Sequence, residues 1–411
     1  MTVKDNGYGF GGFIPSTYSG RQAYYTEASD EFWMHEAFLA SMLEVGKAAP
    51  NPTVGCAVVK NGKLLARGAT EHFGGRHGER VALSQVSDED LVGSTVYVTL
   101  EPCSHHGKQP PCAELLVEKK ISRCVIALKD PFHKVDGKGI SLLKENGIEV
   151  TEGVLEQEAL AWHLPFLFQN HFKRPLLFGK WAQTLDGHLA DDAGHSKWIT
   201  GKEARAYTHF LRQKFDAIMV GASTVIADLP SLDVRDCQPV INRSPIKVIL
   251  DPKGMLLSVD SKTQETLKIK TFAKGKVIYC GPDSSGSWLD DSTHSILLES
   301  YLDTGSLELI SREYKQVSGK DLQSILVEGG ASVLNSLIKA DLLDAYSIFQ
   351  RPSLLGGQAH RIGDGLQMQG RAKLDQKLDL NLLNCFMLGQ DIVLECMSEK
   401  IRNAFQFRHD C

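Results

Sequence analysis

A histidine, two cysteines and a glutamate stand at spacings that suit a catalytic metal. His77-Gly78-Glu79 is followed by Pro102-Cys103 and, after the eight residues 104–111, by Cys112. One imidazole and two thiolates give zinc three protein ligands and leave the fourth position to water, which separates a catalytic site from a closed structural one. Such a water has its pKa drawn down towards about 7, so a nucleophile is available at neutral pH. Glu79 is placed to accept a proton from that water and to protonate a leaving nitrogen, a double role that needs a pKa poised by its surroundings. A lone His or Cys is ordinarily a satisfied core residue. Three potential ligands and an acid in a helix-start, strand-end, helix-start layout are not explained that way, although His105 and His106 lie close enough in sequence to be mistaken for ligands.

Positioning these groups calls for alternating strands and helices. Ser29 or Asp30 caps a helix expected through about residue 47, with Trp33, Phe38, Met42 and Val45 at near-helical spacing. The apolar run 54–59, the Asn61-Gly62 pair and Leu64-Leu65-Ala66 read as a hairpin. A helix over 77–86 starts at the candidate ligand, a buried strand over 95–100 delivers Glu101-Pro102-Cys103, a helix over 113–120 begins beside Cys112, and a strand covers 123–128. A polar loop, 130–139, precedes a helix and strand over 140–154. The segment 159–174 mixes aromatics with His, Lys and Pro175, and the domain boundary is placed there. Beyond it, strands are expected at 175–182, 217–221, 247–250, 276–280, 324–328 and 345–350, with helices at 202–215 and 332–340. The stretch 283–306 is polar and reads as loop and insertion. Strand–helix alternation in both halves predicts α/β folding with a largely parallel second sheet.

Composition narrows the class. The 411 residues suffice for two or three domains, and residues 1–28, rich in Gly, Ser and Tyr, read as a flexible extension. A net charge of −5 without a basic stripe excludes a nucleic-acid surface, while scattered cations still allow local phosphate sites. No apolar run approaches the roughly 20 residues that cross a bilayer, and the N-terminus lacks a signal-peptide pattern. Nine cysteines, an odd number without small-domain spacing, indicate a reduced, cytoplasmic protein with Cys56, Cys124, Cys280 and Cys396 as buried thiols.

His-x-Glu followed by Pro-Cys and a second Cys is the pattern of zinc deaminases. The eight-residue Cys spacing, with Gly107-Lys108 ahead of Pro110-Pro111-Cys112, resembles the deaminase half of the bifunctional riboflavin-biosynthesis deaminase–reductases. That resemblance implies ligation by His77, Cys103 and Cys112, leaves His105 and His106 as loop residues, and assigns Asn51 to the pyrimidine and Lys108 to the substrate phosphate. The chain departs from the family where Gly78 replaces Ala, where Thr70 replaces a His, and where Asp130-Pro131-Phe132-His133 replaces Asp-Pro-Asn-Pro. These changes spare the metal chemistry and bear on substrate recognition.

Four later stretches are similar to the reductase half of the same family: 180–187 (KWAQTLDG), 196–200 (SKWIT), 221–228 (GASTVIAD) and 327–331 (VEGGA). The fold implied is similar to dihydrofolate reductase and binds NADPH without a G-x-G-x-x-G turn, and no such turn follows a strand here. Glycines after the strand 324–328 let phosphate approach free N–H groups at a helix start. By the resemblance, Ala182, Trp198, Thr200, Thr224, Asp228 and Gly330 line the NADPH site, and Ser196, Arg212, Leu232, Arg235 and Glu328 hold the substrate. Arg212 and Arg235 suit a ribose phosphate because a guanidinium pairs bidentately with phosphate oxygens. Asp228 is a candidate for proton delivery, and Leu229 stands where the family has a second Asp.

The expectation is therefore a cytidine-deaminase-like three-layer α/β/α domain over 29–173 and a dihydrofolate-reductase-like α/β domain over 174–411. Zinc and NADPH are the implied cofactors, phosphoribosyl-pyrimidines the substrates, and a cytoplasmic homo-oligomer the state. Two other readings stay open: a paralogue serving a flavin- or pyrimidine-derived secondary metabolite, and a deaminase whose second domain only binds.

Overall fold

The computed structural model describes residues 29–105, 109–130, 137–237, 244–273, 275–289, 293–298, 302–357, 361–362 and 377–406. The N-terminal extension, Lys108, His106, Phe132 and His133 lie outside them. The chain forms two compact units, one running to His171 and the other from Phe172. Among the described residues no helix is long and apolar enough to cross a membrane, and all eight cysteines are free thiols.

In the first unit, α1 (Asp30–Met42) is capped by Ser29, whose hydroxyl accepts the Phe32 N–H at 3.2 Å. It stops short of the expected residue 47, and Gly46 beyond it has a φ of 76°, a left-handed conformation in which a helix does not continue. Strands β1 (Gly55–Lys60), β2 (Lys63–Ala69), β3 (Thr95–Val98), β4 (Arg123–Ile126) and β5 (Glu149–Glu152) form a sheet of order β2-β1-β3-β4-β5. β1 runs antiparallel to β2 and β3, while β3, β4 and β5 are parallel. Asn61 and Gly62 both have positive φ (51° and 69°), which suits a tight β1–β2 hairpin. Helices α2 (Gly78–Leu83), α3 (Asp88–Leu91), α4 (Cys112–Glu118) and α5 (Lys138–Glu145) follow. Val58, Val96, Val98, Leu116, Cys124 and Ile126 lie in a shared core. Arg123 on β4 grips the Asp30 carboxylate at 2.8 and 2.7 Å and so ties the start of α1 to the sheet.

The segment in which the boundary was placed holds a 17-residue helix, α6 (Glu156–Phe172), with Pro165 inside it, and the two units divide at its end. Residues 158–164 along it are all buried, so it shows no polar face to reveal a helical period. The Trp162 indole N–H donates to the Thr53 carbonyl at 2.9 Å and His163 meets the Thr99 hydroxyl at 3.2 Å, which anchors the chain leading to Asn51.

The second unit is built on nine strands: β6 (Leu176–Thr184), β7 (Ala217–Gly221), β8 (Ile246–Leu250), β9 (Val277–Gly281), β10 (His294–Leu297), β11 (Ser324–Val327), β12 (Ala345–Arg351), β13 (Asn381–Leu388) and β14 (Asp391–Met397). Their order is β10-β9-β8-β7-β11-β6-β12-β14-β13, parallel from β10 to β12 and closed by an antiparallel hairpin. Helices α7 (Lys202–Lys214), α8 (Ala222–Asp228), α9 (Ser261–Leu267), α10 (Thr304–Ser318), α11 (Ala331–Lys339) and α12 (Glu399–Phe405) connect or flank them. The stretch read as loop therefore contains β10 and the start of α10. β10 is a four-residue edge strand exposed at three of its positions, too short and too wet to announce itself by alternation.

Glycines set how closely helices sit on these sheets. A Cβ on Gly68 of β2 would lie 2.4 Å from the Ala82 amide nitrogen and 2.6 Å from the Gly78 carbonyl oxygen, so α2 rests directly on the strand backbone. A Gly68→Ala substitution has to push α2 away. It is expected to cost about 2 kcal/mol, an overpacking effect, and to weaken metal retention by His77, read by denaturant unfolding and by zinc content after dialysis against a mild chelator.

Candidate deaminase and reductase sites

In the first unit, β2 leads through a turn to His77 at the N-cap position of α2, and the end of β3 runs on through Glu101-Pro102 to Cys103. Cys112 opens α4. The His77 Nδ1 lies 3.5 Å from the Cys103 Sγ and 3.4 Å from the Cys112 Sγ, and all three donor atoms fall within 4.8 Å of one another. A tetrahedral ion with bonds of about 2.3 Å to sulfur and about 2.05 Å to nitrogen sets those atoms about 3.6 Å apart. The donor set fits zinc. The hydrogen bond from Cys112, with help from His77, draws the Cys103 thiol down to about 4, while Cys112 is held well above the ordinary thiol value. One sulfur ionises readily and one proton is left for a cation to displace.

Glu79 is 3% exposed, and burial, reinforced by the neighbouring Cys103 charge, raises its pKa. It lines a cavity of about 340 Å³ together with His77, Cys103, Asn51, Phe166 and Asn170. The last two come from α6, so the helix missed in the sequence supplies part of the wall.

In the second unit the expected residues gather where the parallel strands end. β7 runs into α8 through Gly221, and β11 runs through Glu328-Gly329-Gly330 into α11. Neither helix start carries a side-chain cap. The Gly330 N–H donates to the Thr224 hydroxyl at 3.1 Å, which sets the two helix starts side by side. A Cβ on Gly221 would come 2.8 Å from the Val333 side chain, and one on Gly329 would come 3.0 Å from it. A second cavity, of about 220 Å³, opens beside these glycines and is lined by Ser223, Asp251, Lys253 and Ser332 among others. Uncapped N–H groups bordering a cavity at the carboxyl ends of parallel strands suit the phosphates of a dinucleotide.

Substrate-side candidates form a charged cluster. Arg212 on α7 spends its fork on Glu328, at 2.7 and 2.8 Å, and also donates to the Asp233 carbonyl at 2.9 Å. Arg235 pairs with the Asp233 carboxylate and donates to Ser231 at 2.7 Å. Burial and the charges of Arg212 and Arg235 push His209 down to about 4, so it sits neutral between them. Burial works to raise Glu328, but Arg212 and Lys180 outweigh it and hold the carboxylate ionised. Ser196 donates to the Asp228 carboxylate at 3.3 Å. Leu232 is buried with a φ of 50°, which leaves its backbone rather than its side chain to face a ligand. Ala182 lies near the end of β6, and Trp198 stands 69% exposed on the segment before α7.

Comparison with known proteins decides the family. The family model described as RibD C-terminal domain matches residues 175–394, and that described as cytidine and deoxycytidylate deaminase zinc-binding region matches 27–128. The riboflavin biosynthesis protein RibD of Aquifex aeolicus is 35% identical over 365 residues, covering 89% of this chain and 97% of that protein. The chain belongs to the RibD family. Solved structures agree over most of their length. RibD from Acinetobacter baumannii superposes with a TM-score of 0.71 at 32% identity, over 90% of this chain and 99% of that one. The diaminohydroxyphosphoribosylaminopyrimidine deaminase/5-amino-6-(5-phosphoribosylamino)uracil reductase from Thermotoga maritima superposes with a TM-score of 0.73 at 32% identity, over 91% and 100%.

This RibD-family chain is thus a bifunctional deaminase and reductase of riboflavin biosynthesis, with a cytidine-deaminase-like unit that takes zinc and a reductase unit that takes NADPH. Two of its residues were not singled out as site residues in the sequence. Lys180, on β6, is partly buried against Phe349, with its Nζ 4.6 Å from the ring centroid, and desolvation lowers its pKa to about 8 against the partial support of Glu328. Only its place in the Lys180-Trp181-Ala182 stretch hinted at a role. Glu101 precedes Pro102-Cys103, and its buried carboxylate accepts the N–H groups of Asp130, Gly137, Gly139 and Ile140 at 3.3, 3.0, 3.0 and 3.3 Å. It pins the end of the Cys103-bearing strand to the start of α5.

Three departures from the RibD pattern are placed by the structure: Thr70 and Gly78 meet at Val54, and nothing explains a Leu at 229. The Thr70 hydroxyl accepts the Val54 N–H at 3.0 Å, and the Val54 carbonyl lies 2.5 Å from where a Cβ on Gly78 would be. Leu229 follows α8 in a left-handed conformation, φ 45°, which an Asp adopts more easily than a Leu. Replacing Glu101 with Gln turns an ionic acceptor of four backbone N–H groups into a neutral amide. The change is expected to lower stability by about 2 kcal/mol and to speed zinc loss to a chelator, measured by thermal melting and by metal-release kinetics.

Proposed function

We propose that the first unit hydrolytically deaminates 2,5-diamino-6-hydroxy-4-(5-phosphoribosylamino)pyrimidine. The second unit then reduces the ribosyl group of 5-amino-6-(5-phosphoribosylamino)uracil to ribityl. The observation that carries the reading is Glu79, a buried acid on the wall of a cavity beside three convergent ligand atoms. When bound, zinc supplies an activated water and NADPH a hydride. Glu79 holds a proton taken from the attacking water and passes it to the departing ring amine, and its burial keeps the carboxyl basic enough to do so. Asn51, on the cavity wall, fixes the pyrimidine, and Lys108 meets the phosphate.

In the reductase unit, Arg235, exposed beside Asp233, takes the substrate phosphate, and Arg212 holds Glu328 in place for the ribose hydroxyls. Ser196 and the Leu232 backbone complete the substrate side. Ala182, Trp198, Thr200, Thr224, Asp228 and Gly330 form the cofactor side, with Asp228 or Lys180 at hand for the proton that accompanies hydride transfer. The unit boundary proposed for the two activities is 173/174, in a cytoplasmic homo-oligomer.

The test is a coupled assay on zinc-loaded protein with the deaminase substrate, with and without NADPH. Ammonia release without NADPH, then NADPH oxidation on its addition, is expected. Glu79→Gln should cut ammonia release at least about a hundredfold, in keeping with general acid–base catalysis, yet oxidise NADPH normally when given the deaminated substrate. Ammonia release from wild type by some other pyrimidine, with none from this one, would overturn the substrate assignment.

Lys180 adds a pH dependence. Its pKa is depressed from the ordinary lysine range to about 8, so the ammonium persists below that pH and is lost above it. If the ammonium holds or protonates the sugar oxygen, kcat/KM for NADPH oxidation falls as pH rises through about 8. In Lys180→Arg that limb disappears, whatever activity remains. A flat wild-type profile to higher pH removes Lys180 from the chemistry.

A further inference from the structure

Trp198 is a large aromatic left mostly in water, an unusual fate for an indole unless a ligand covers it. One side of it is occupied. The Arg205 guanidinium carbon lies over the ring, 4.5 Å from its centroid, and the same guanidinium donates to the Thr200 carbonyl at 2.7 Å. Arg205 sits half-buried in the first turn of α7, and among the described residues no carboxylate pairs with it. Its charge is therefore expressed against the indole and the Thr200 carbonyl. The flanks of the segment are fastened independently. Lys197 donates to the Asp228 carbonyl at 2.8 Å, and the Gly201 N–H donates to Asp391 at 2.7 Å, which Arg351 holds in turn at 3.3 Å. Between these fixed points the indole is the free element, and Arg205 is what sets its plane.

From this arrangement we infer that Arg205 is a positioning residue of the reductase. Held by the Thr200 carbonyl, it fills one face of Trp198, so that only the opposite indole face is offered to a planar heteroaromatic ring of the dinucleotide cofactor. The inference rests on the assignment of Trp198 to the cofactor side. Arg205 does not touch the cofactor; it acts through the ring. A guanidinium over a largely exposed indole is a modest interaction, and the indole it orders no longer has to be ordered by the ligand.

The test uses the full zinc-loaded chain without pyrimidine substrate, and reads NADPH affinity from the change in the fluorescence of the dihydronicotinamide itself. Arg205→Ala is expected to weaken NADPH about tenfold, and Arg205→Lys, which keeps a cation over the ring, to stay within about threefold of wild type. Trp198→Ala should lose at least as much as Arg205→Ala, and the double variant no more than Trp198→Ala alone, since a residue that acts only through the indole has nothing left to act on. With pyrimidine present, Arg205→Ala should raise the KM for NADPH and leave kcat within about twofold of wild type. An unchanged thermal melting transition and circular dichroism spectrum report that the second unit is folded in each variant. Normal affinity in Arg205→Ala with impaired Trp198→Ala overturns the inference alone, as do additive losses in the double variant. Normal affinity in Trp198→Ala overturns the cofactor assignment and the inference with it.

Discussion

Both catalytic centres depend on helix starts packed too closely for a Cβ at the glycines beside them. In the first unit Gly68 and Gly78 remove the two Cβ atoms that would hold α2 away from β1 and β2. His77 then stands at the helix start, where its Nδ1 meets both sulfurs. In the second unit Gly221, Gly329 and Gly330 let α8 and α11 begin side by side, with uncapped N–H groups. A helix start is electropositive and rich in unsatisfied donors. Brought to the end of a strand, it becomes a place to set a metal ligand or to receive a phosphate. The same geometry serves two unrelated chemistries because it fixes position, and the residues placed there decide the reaction.

Close approach also buries charge, and the two units handle it differently. Among the described residues no cation pairs with Glu101; four backbone N–H groups satisfy it, so a loop end and a helix start are held by one carboxylate. Glu328 is paired instead with the Arg212 fork, and Lys180 lies near enough to be felt by it. The first arrangement is purely positional. The second balances charge against charge at close range.

What the sequence made legible follows from how local each signal is. His77, Glu79, Cys103 and Cys112 sit at spacings that only one kind of layout explains, and their convergence needs just two strands and two helix starts. Parallel strands such as β7, β8 and β11 are buried throughout and read as unbroken apolar runs. The helix α6 was opaque for the opposite reason: seven consecutive buried residues and an internal proline erase the helical period. Lys180 and Arg205 were not assigned roles because their chemistry lies in partners brought from distant or intervening segments, Phe349 and Glu328 for one and the face of Trp198 for the other.

The departures from the RibD pattern gain meaning from a single residue they share. Val54, just before β1, is held by the Thr70 backbone N–H at 2.9 Å and by the Thr70 hydroxyl at 3.0 Å, so the hairpin pairing continues one residue beyond the strands. Its carbonyl oxygen is the atom that a Cβ at position 78 would strike, at 2.5 Å. Thr70 and Gly78 are therefore two sides of one adjustment. The hydroxyl draws Val54 onto β2, and the missing methyl makes room for its carbonyl under α2. The ligand atoms remain within 4.8 Å of one another after both changes, because His77 is fixed by the helix start and the sulfurs by β3 and α4. Asn51, Pro52 and Val54 line the cavity beside those atoms. The two departures therefore meet at Val54, on the cavity wall, and leave the three ligand atoms together.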